Sequence, residues 1–165
     1  MKKFELTSEF ITNVLGTKLF RIKALIEFGD VSAGELGGYI EKEENLAQDG
    51  NAWVYGNAKV YGDAWVCDNA EVYGNAWVCG DAWVCGDADY STVKGFGRIF
   101  RTTTFFRKKD KDIGVSCGCF YGTLEEFRKK VKETHGESKT AKEYLMLADL
   151  MEYKFSREMD EEVNQ

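Results

Sequence analysis

The chain has 165 residues, of which 44% are hydrophobic and 14% aromatic, and its formal net charge is −6. This length predicts one domain with at most a small appendage, and the negative charge argues against general nucleic-acid binding. With no apolar run near the roughly 18 residues of a membrane span, no secretory signal and no disulfide-type cysteine spacing, we expect a cytoplasmic protein without a membrane partner.

The first segment, residues 1–49, is predicted to be a β cap. Residues 18–28 read KLFRIKALIEF and alternate well enough for a strand. A glycine-rich stretch, GELGGYI, follows and leads into a repeat. We therefore expect this segment to close one end of the structure that the repeat forms.

Residues 50–93 contain an uninterrupted six-residue repeat. From Val54 the units read VYGNAK, VYGDAW, VCDNAE, VYGNAW, VCGDAW and VCGDAD. The valine column suits a buried strand, the Gly-Asn or Gly-Asp pair tolerates left-handed backbone at a corner, and the alanine is small enough to fit inside it. Each unit then makes one side and one turn, and three units close a coil of about 18 residues with strands about 4.8 Å apart.

This pattern resembles the hexapeptide-repeat superfamily, which includes acyltransferases and gamma-class carbonic anhydrases. The resemblance implies a mainly β protein with a short left-handed parallel β-helix of about two coils. The whole layout, with GGYIEKEENL before the array and RTTTFFR, VSCGCF and GTLEEF after it, is similar to that of uncharacterised bacteriophage and prophage proteins. That similarity predicts a phage-encoded protein in the host cytoplasm.

Aromatic residues flank the buried valines. An 18-residue coil stacks Trp65 on Trp83, Tyr55 on Tyr73, and Cys67 on Cys85, which we expect to be small hydrophobic residues in a reducing compartment. So broad an apolar exterior is rarely left bare, so we predict that these columns are covered by the tail of the chain or by another subunit of a homo-oligomer, with an aromatic ligand or a foreign protein as the alternative. The predicted surface comprises Tyr55, Trp65, Tyr73, Trp77 and Trp83.

The last segment, residues 94–165, is predicted to be a ββαα unit. The β-prone runs 99–107 and 112–119 flank a charged KKDK turn and indicate a hairpin. Thr123 and Glu126 form a capping box for a first helix that ends at Gly136, and Thr140 with Glu143 is expected to begin a second.

The basic hairpin is the candidate ligand site. Alternation places Arg101, Thr103, Phe105 and Arg107 on one side of the strand, and two arginines with a hydroxyl between them suit a phosphate. The alternative is an edge strand whose basic side chains prevent unwanted pairing.

Catalytic groups are scarce in the sequence. Acyltransferases of the superfamily use a histidine as general base and the carbonic anhydrases hold zinc with three, whereas this chain has one histidine, His135, at a predicted helix end. Cys117 and Cys119 lack further ligands at metal spacing and are expected to pack in the interior. We therefore predict no catalytic residue, no metal and no cofactor.

These observations favour a non-enzymatic binding protein that serves phage counter-defence. It would sequester a small phosphorylated nucleotide signal at the hairpin or occlude a host protein with the aromatic columns. The alternatives are a hexapeptide-type acyltransferase, with His135 supplied across a trimer interface, and a purely structural oligomerisation module.

Overall fold

The computed structural model describes residues 1–97 and 101–156, so residues 99–100 of the predicted hairpin and residues 157–165 of the predicted C-terminal unit lie outside it. The described part is mainly β, with several sheets and two helices, and none of its helices is long and apolar enough to cross a membrane. The strands are β1 Phe4–Thr12, β2 Lys18–Ala24, β3 Leu36–Ile40, β4 Trp53–Val54, β5 Lys59–Val60, β6 Trp65–Val66, β7 Glu71–Val72, β8 Trp77–Val78, β9 Trp83–Val84, β10 Tyr90–Phe96, β11 Arg101–Arg107, β12 Ile113–Cys117 and β13 Phe120–Thr123, and the helices are α1 Leu124–His135 and α2 Lys139–Lys154.

The repeats form a three-sided parallel coil. Strands β4, β5 and β6 pair in parallel with β7, β8 and β9, and each residue faces the residue 18 positions later, as Trp65 faces Trp83. The valines and alanines of the repeat are buried, with Val54, Val60, Val66, Val72, Val78 and Val84 each 0% exposed. Two coils of 18 residues therefore enclose one continuous apolar core.

The corners of the coil require left-handed backbone. Five glycines there, among them Gly56 and Gly62, have φ between 57° and 70°. In the unit that lacks this glycine, Asp68 takes its place with φ 55°. Aspartate is among the few other residues that reach this conformation readily, which explains how the VCDNAE unit keeps the period.

The N-terminal segment is hydrogen-bonded to the coil. Strands β1, β2 and β3 are antiparallel, and β3 then pairs in parallel with β5, with Tyr39 facing Lys59. The structure adds β1, which we did not predict, and ends β2 at Ala24 rather than near residue 28. Phe4 and Phe28 pack edge-on against Trp53, which is 0% exposed and so does not belong to the outer aromatic surface.

A buried lysine closes the N-terminal end of the coil. Lys3 is 1% exposed, and its Nζ donates to the carbonyls of Ala52 at 2.8 Å, Asp49 at 3.3 Å and Gly50 at 3.5 Å. Burial lowers the pKa of Lys3 to about 8. The amine thus satisfies carbonyls that would otherwise be left without a partner at the open end.

The depressed pKa of Lys3 predicts a pH dependence of stability. Between about 8 and 10.5 the unfolded lysine still holds a proton that the folded one has released, so its contribution to the free energy of unfolding rises with pH. We expect the stability of the wild type relative to Lys3→Met to increase over this range, measured by urea unfolding at several pH values. Ionisation of other groups is common to both proteins and cancels, so a difference that does not vary with pH would contradict the assignment.

The C-terminal segment contains a four-stranded antiparallel sheet rather than a hairpin, in the order β10-β11-β12-β13. The predicted pair corresponds to β11 and β12, and β10 and β13 lie on either side of it. Strand β10 follows the repeats directly, and the four residues of β13 end at Thr123, which caps α1, so neither produces a separate alternating run.

This sheet lies between the coil and the two helices. Phe105 faces the helices and packs edge-on against Phe127, whereas Phe106 joins the core of the coil. The outer backbone of β8 is satisfied by side chains of the sheet: Thr104 Oγ1 accepts from Trp77 N at 3.0 Å and Ser116 Oγ donates to Trp77 O at 2.6 Å. These hydroxyls replace the hydrogen bonds that a further coil would make.

The helices begin and end mostly where the sequence indicates. Thr123 accepts a hydrogen bond from the Glu126 amide, and α1 ends at Gly136, as predicted. The second helix begins earlier than predicted, because Ser138 rather than Thr140 caps it. Arg128 of α1 donates to Asp149 at 2.9 Å and to Glu152 at 2.7 Å, which holds the two helices together.

Candidate functional site

The three hairpin residues predicted to hold a phosphate do not meet at one point. Arg101 and Arg107 occupy opposite ends of β11, roughly 20 Å apart at about 3.3 Å per residue. Thr103, between them, is 0% exposed and donates to Cys117 Sγ at 3.2 Å. A single phosphate between both arginines is therefore not supported by the geometry.

Arg107 is engaged within the fold. Its Nε contacts Asp89 at 3.0 Å, its Nη1 donates to the Phe155 carbonyl at 3.2 Å, and the guanidinium lies over the Phe155 ring. The alternative role proposed for this strand is wrong, because β11 lies between β10 and β12 and is not an edge strand. Arg107 connects the end of the coil to the end of α2.

Arg101 borders a cavity between the sheet and the helices. The cavity has a volume of about 410 Å³, within the range of roughly 300–1,000 Å³ usual for small-molecule sites. Four aromatic side chains make its walls: Phe96, Phe120, Phe127 and Tyr144. No carboxylate lines the cavity among the described residues. The polar groups that line it are cationic, neutral or imidazole, and they belong to Arg101, Cys117, Cys119, Lys130, Thr134, His135 and Tyr144.

Local geometry accounts for these positions. A tight turn between β12 and β13 has Gly118 at φ 59°, and the Arg101 guanidinium occupies the space that a Cβ on Gly118 would need. On α1, Lys130 and Thr134 are four residues apart and so lie on one side of the helix, which faces the cavity. The cavity is thus framed by a strand end, a turn and a helix.

His135 and Tyr144 form the far wall. Their rings stack with centroids 6.0 Å apart at 27°. Burial raises the pKa of Tyr144 to about 12, so this phenol remains a hydrogen-bond donor at neutral pH. The position of His135 at the end of α1 was predicted, but its place in a cavity was not; the i, i+4 pairs Phe127 with Val131 and Lys130 with Thr134 were the available signal.

The aromatic columns of the coil stack as their spacing predicts. Tyr55 and Tyr73 are parallel with centroids 4.5 Å apart, and Trp65 meets Trp83 edge-on at 5.5 Å. Trp65 and Trp83 remain 37% and 38% exposed. Trp77 is half-buried beneath Lys59, whose Nζ lies 5.4 Å from the ring centroid, so this predicted surface residue is partly covered by the chain itself.

The stacked cysteines of the coil are joined. Cys67 and Cys85, expected to be free thiols, form a disulfide with their Cα atoms 4.4 Å apart. Together with Asp68 they place three potential metal ligands within 4.8 Å, but both sulfurs are already used in the bond. The described residues therefore offer little to a metal at this corner.

Comparison with curated proteins gives a partial match. The chain is 44% identical over 62 residues to the uncharacterised acetyltransferase YdcK of Escherichia coli strain K12, and the match covers 33% of this chain and 19% of that protein. The chain thus spans about a fifth of the length of this relative. No protein-family model matches the sequence.

Proposed function

We propose that this protein binds a small phosphorylated nucleotide in the cavity bordered by Arg101. The observation that carries the proposal is the combination of Arg101 and Lys130 with aromatic walls, without a carboxylate among the described lining residues. Cations suit a phosphate, and aromatic faces suit a base.

The proposed binding free energy comes from the charged side chains and from the aromatic side chains of the cavity. A charge-assisted hydrogen bond from Arg101 is worth about 1.5–3 kcal/mol, and stacking on an aromatic side chain is worth about 1–3 kcal/mol per base. Tyr144 and Thr134 add neutral donors at the same cavity. Sequestration of a nucleotide signal during phage infection is the use that we propose for such binding.

Acetyl transfer is the second candidate. Two observations favour it: the partial relative is named an acetyltransferase, and both His135 and Cys119 line the cavity. The form of this hypothesis in which His135 serves a groove of the coil is disfavoured, because His135 lines a cavity on the helix side of the sheet, away from the coil. A transfer reaction would have to occur in the cavity itself.

Calorimetric titration with AMP, ADP and adenosine tests the leading proposal. We expect both nucleotides to bind and adenosine, which lacks phosphate, to bind at least tenfold more weakly, about 1.4 kcal/mol. Mass spectrometry of the incubated nucleotide should show no conversion. Equal binding of adenosine would refute the phosphate site, and consumption of acetyl-CoA that is lost in His135→Ala would establish the enzyme instead.

We also infer that the coil is left-handed, as in the superfamily that the repeat resembles. The six-residue period, the 18-residue offset between paired strands and the positive φ at the corners from Gly50 to Gly80 support this inference. A crystal structure decides it, because the electron-density map shows in which direction the chain winds. A right-handed coil would contradict the inference.

The exposed Trp65 and Trp83 pair is proposed as a contact between subunits. Replacing both with Ser should shift the protein to a smaller oligomer in light scattering, because large exposed apolar side chains commonly mark interfaces. Leu15→Ser, which alters a residue 82% exposed at the β1–β2 turn, is the matched control. A wild type that is already monomeric would contradict the proposal.

A further inference from the structure

Two thiols border the candidate pocket. Cys117 ends β12 and is half-buried, whereas Cys119 lies in the following turn and is exposed. Both line the cavity. The expectation that this pair packs in the interior is therefore wrong for Cys119.

The surroundings of Cys119 are cationic. The guanidinium of Arg101 lies against Gly118, the residue before Cys119, and Lys130 lines the same cavity. Among the described lining residues no carboxylate offsets these charges. A negatively charged reagent is therefore drawn toward the thiol, since a cleft of one sign concentrates ions of the other.

The other cysteines are less available. Cys79 is 3% exposed, and burial raises the pKa of its thiol to about 11. Cys67 and Cys85 are joined in a disulfide, and the thiol of Cys117 accepts a hydrogen bond from the buried Thr103. Cys119 is the one exposed free thiol of the five, all of which lie in the described ranges.

We propose that Cys119 is a site of reversible modification by anionic low-molecular-weight disulfides. The thiolate of Cys119 attacks one sulfur of the reagent, a new S–S bond forms to the protein, and the S–S bond of the reagent breaks. The departing thiolate takes up a proton, which balances the one that Cys119 released, so one protein thiol and one disulfide yield one mixed disulfide and one free thiol.

The modification would control the pocket. A group attached to Cys119 stands at the cavity that Arg101 and Lys130 line, and an anionic group occupies the place of the phosphate. This consequence rests on the proposed nucleotide binding, whereas the modification itself does not. Reduction by a free thiol restores the original site.

Intact-mass measurement during incubation with oxidised glutathione tests the proposal. We expect one glutathionyl group per chain, present in Cys117→Ser and absent in Cys119→Ser. Cystamine, a cationic disulfide, serves as the control of opposite charge. Arg101→Gln should slow the reaction with oxidised glutathione about threefold or more and leave cystamine no slower, because only the anionic reagent is attracted.

Each outcome decides between the alternatives. Modification that persists in Cys119→Ser, or an Arg101→Gln variant that reacts with both disulfides as the wild type does, would overturn the proposal. Nucleotide titration of the glutathionylated protein is read separately: loss of binding supports control of the pocket. Modification at Cys119 in a protein that binds no nucleotide would leave the thiol site established and remove only the proposed function.

Discussion

Replacing Val72 with Asp is expected to unfold the protein or to lower its free energy of unfolding by several kcal/mol. Val72 is 0% exposed in the second coil and faces Val54 across the ladder. A carboxylate there would be buried without a partner, which is among the most costly single changes a core can receive. Domains of this size are commonly stable by only about 5–15 kcal/mol, so the loss is a large share of the total.

Urea unfolding followed by circular dichroism measures this effect, with Val14→Asp as the control. Val14 is 68% exposed at the β1–β2 turn, so the same chemical change there should alter stability by less than about 0.5 kcal/mol. A Val72→Asp protein with an unchanged unfolding midpoint would show that the interior of the coil is not where the structure places it.

Replacing Arg101 with Ala is expected to weaken nucleotide binding tenfold or more, equivalent to about 1.5–3 kcal/mol for one charge-assisted hydrogen bond. The side chain is exposed at the cavity, so its removal should leave the fold stable. Titration calorimetry gives the affinity, and thermal unfolding gives the stability of the same variant.

Arg107→Ala supplies the opposite pattern. This arginine contacts Asp89 and the Phe155 carbonyl and lies at the other end of β11 from the cavity. Its loss should lower the unfolding temperature while affinity for nucleotide changes little. Equal losses of affinity in both variants would restore the original idea of a site that uses both arginines. Unchanged affinity in both variants would show that nucleotide does not bind in the cavity.

The central coil was predictable because its information is local and repeated. Each unit carries its own buried valine, corner residues and small alanine, so residues such as Val60 and Val78 can be placed by counting. Asp68 shows that even the exception follows from backbone preference. The capping box at Thr123 is likewise written in four consecutive residues.

The flanking strands were harder because their pairing is set by tertiary contacts. Strand β1 has polar and apolar residues exposed alike, with an irregular register between Leu6 and Phe10, so its alternation is weak. Strand β10 pairs with β11 in a register that shifts between Val93 and Phe96, and nothing in its own sequence separates it from the repeats. Local pattern alone does not determine such strands.

The cavity could not be predicted from the sequence, because the assembled fold creates it. Arg101, the turn at Gly118 and helix α1 are separate in sequence, and only the order of the sheet and the packing of α1 bring them together. Sequence reasoning selected Arg101 for a phosphate site on the strand and paired it with Arg107, whose partner Asp89 lies in the last repeat. Charge spacing along a strand does not reveal which charges the fold has already neutralised.

The hydroxyls that close β8 have a consequence for the length of the protein. Thr104 and Ser116 meet one particular side of the coil, the side that carries Trp77. Adding a single hexapeptide would turn the exit of the chain by one third of a revolution and present a different side to these hydroxyls. Only an insertion of a whole 18-residue turn restores the match, so the molecule can lengthen in steps of three repeats and not of one.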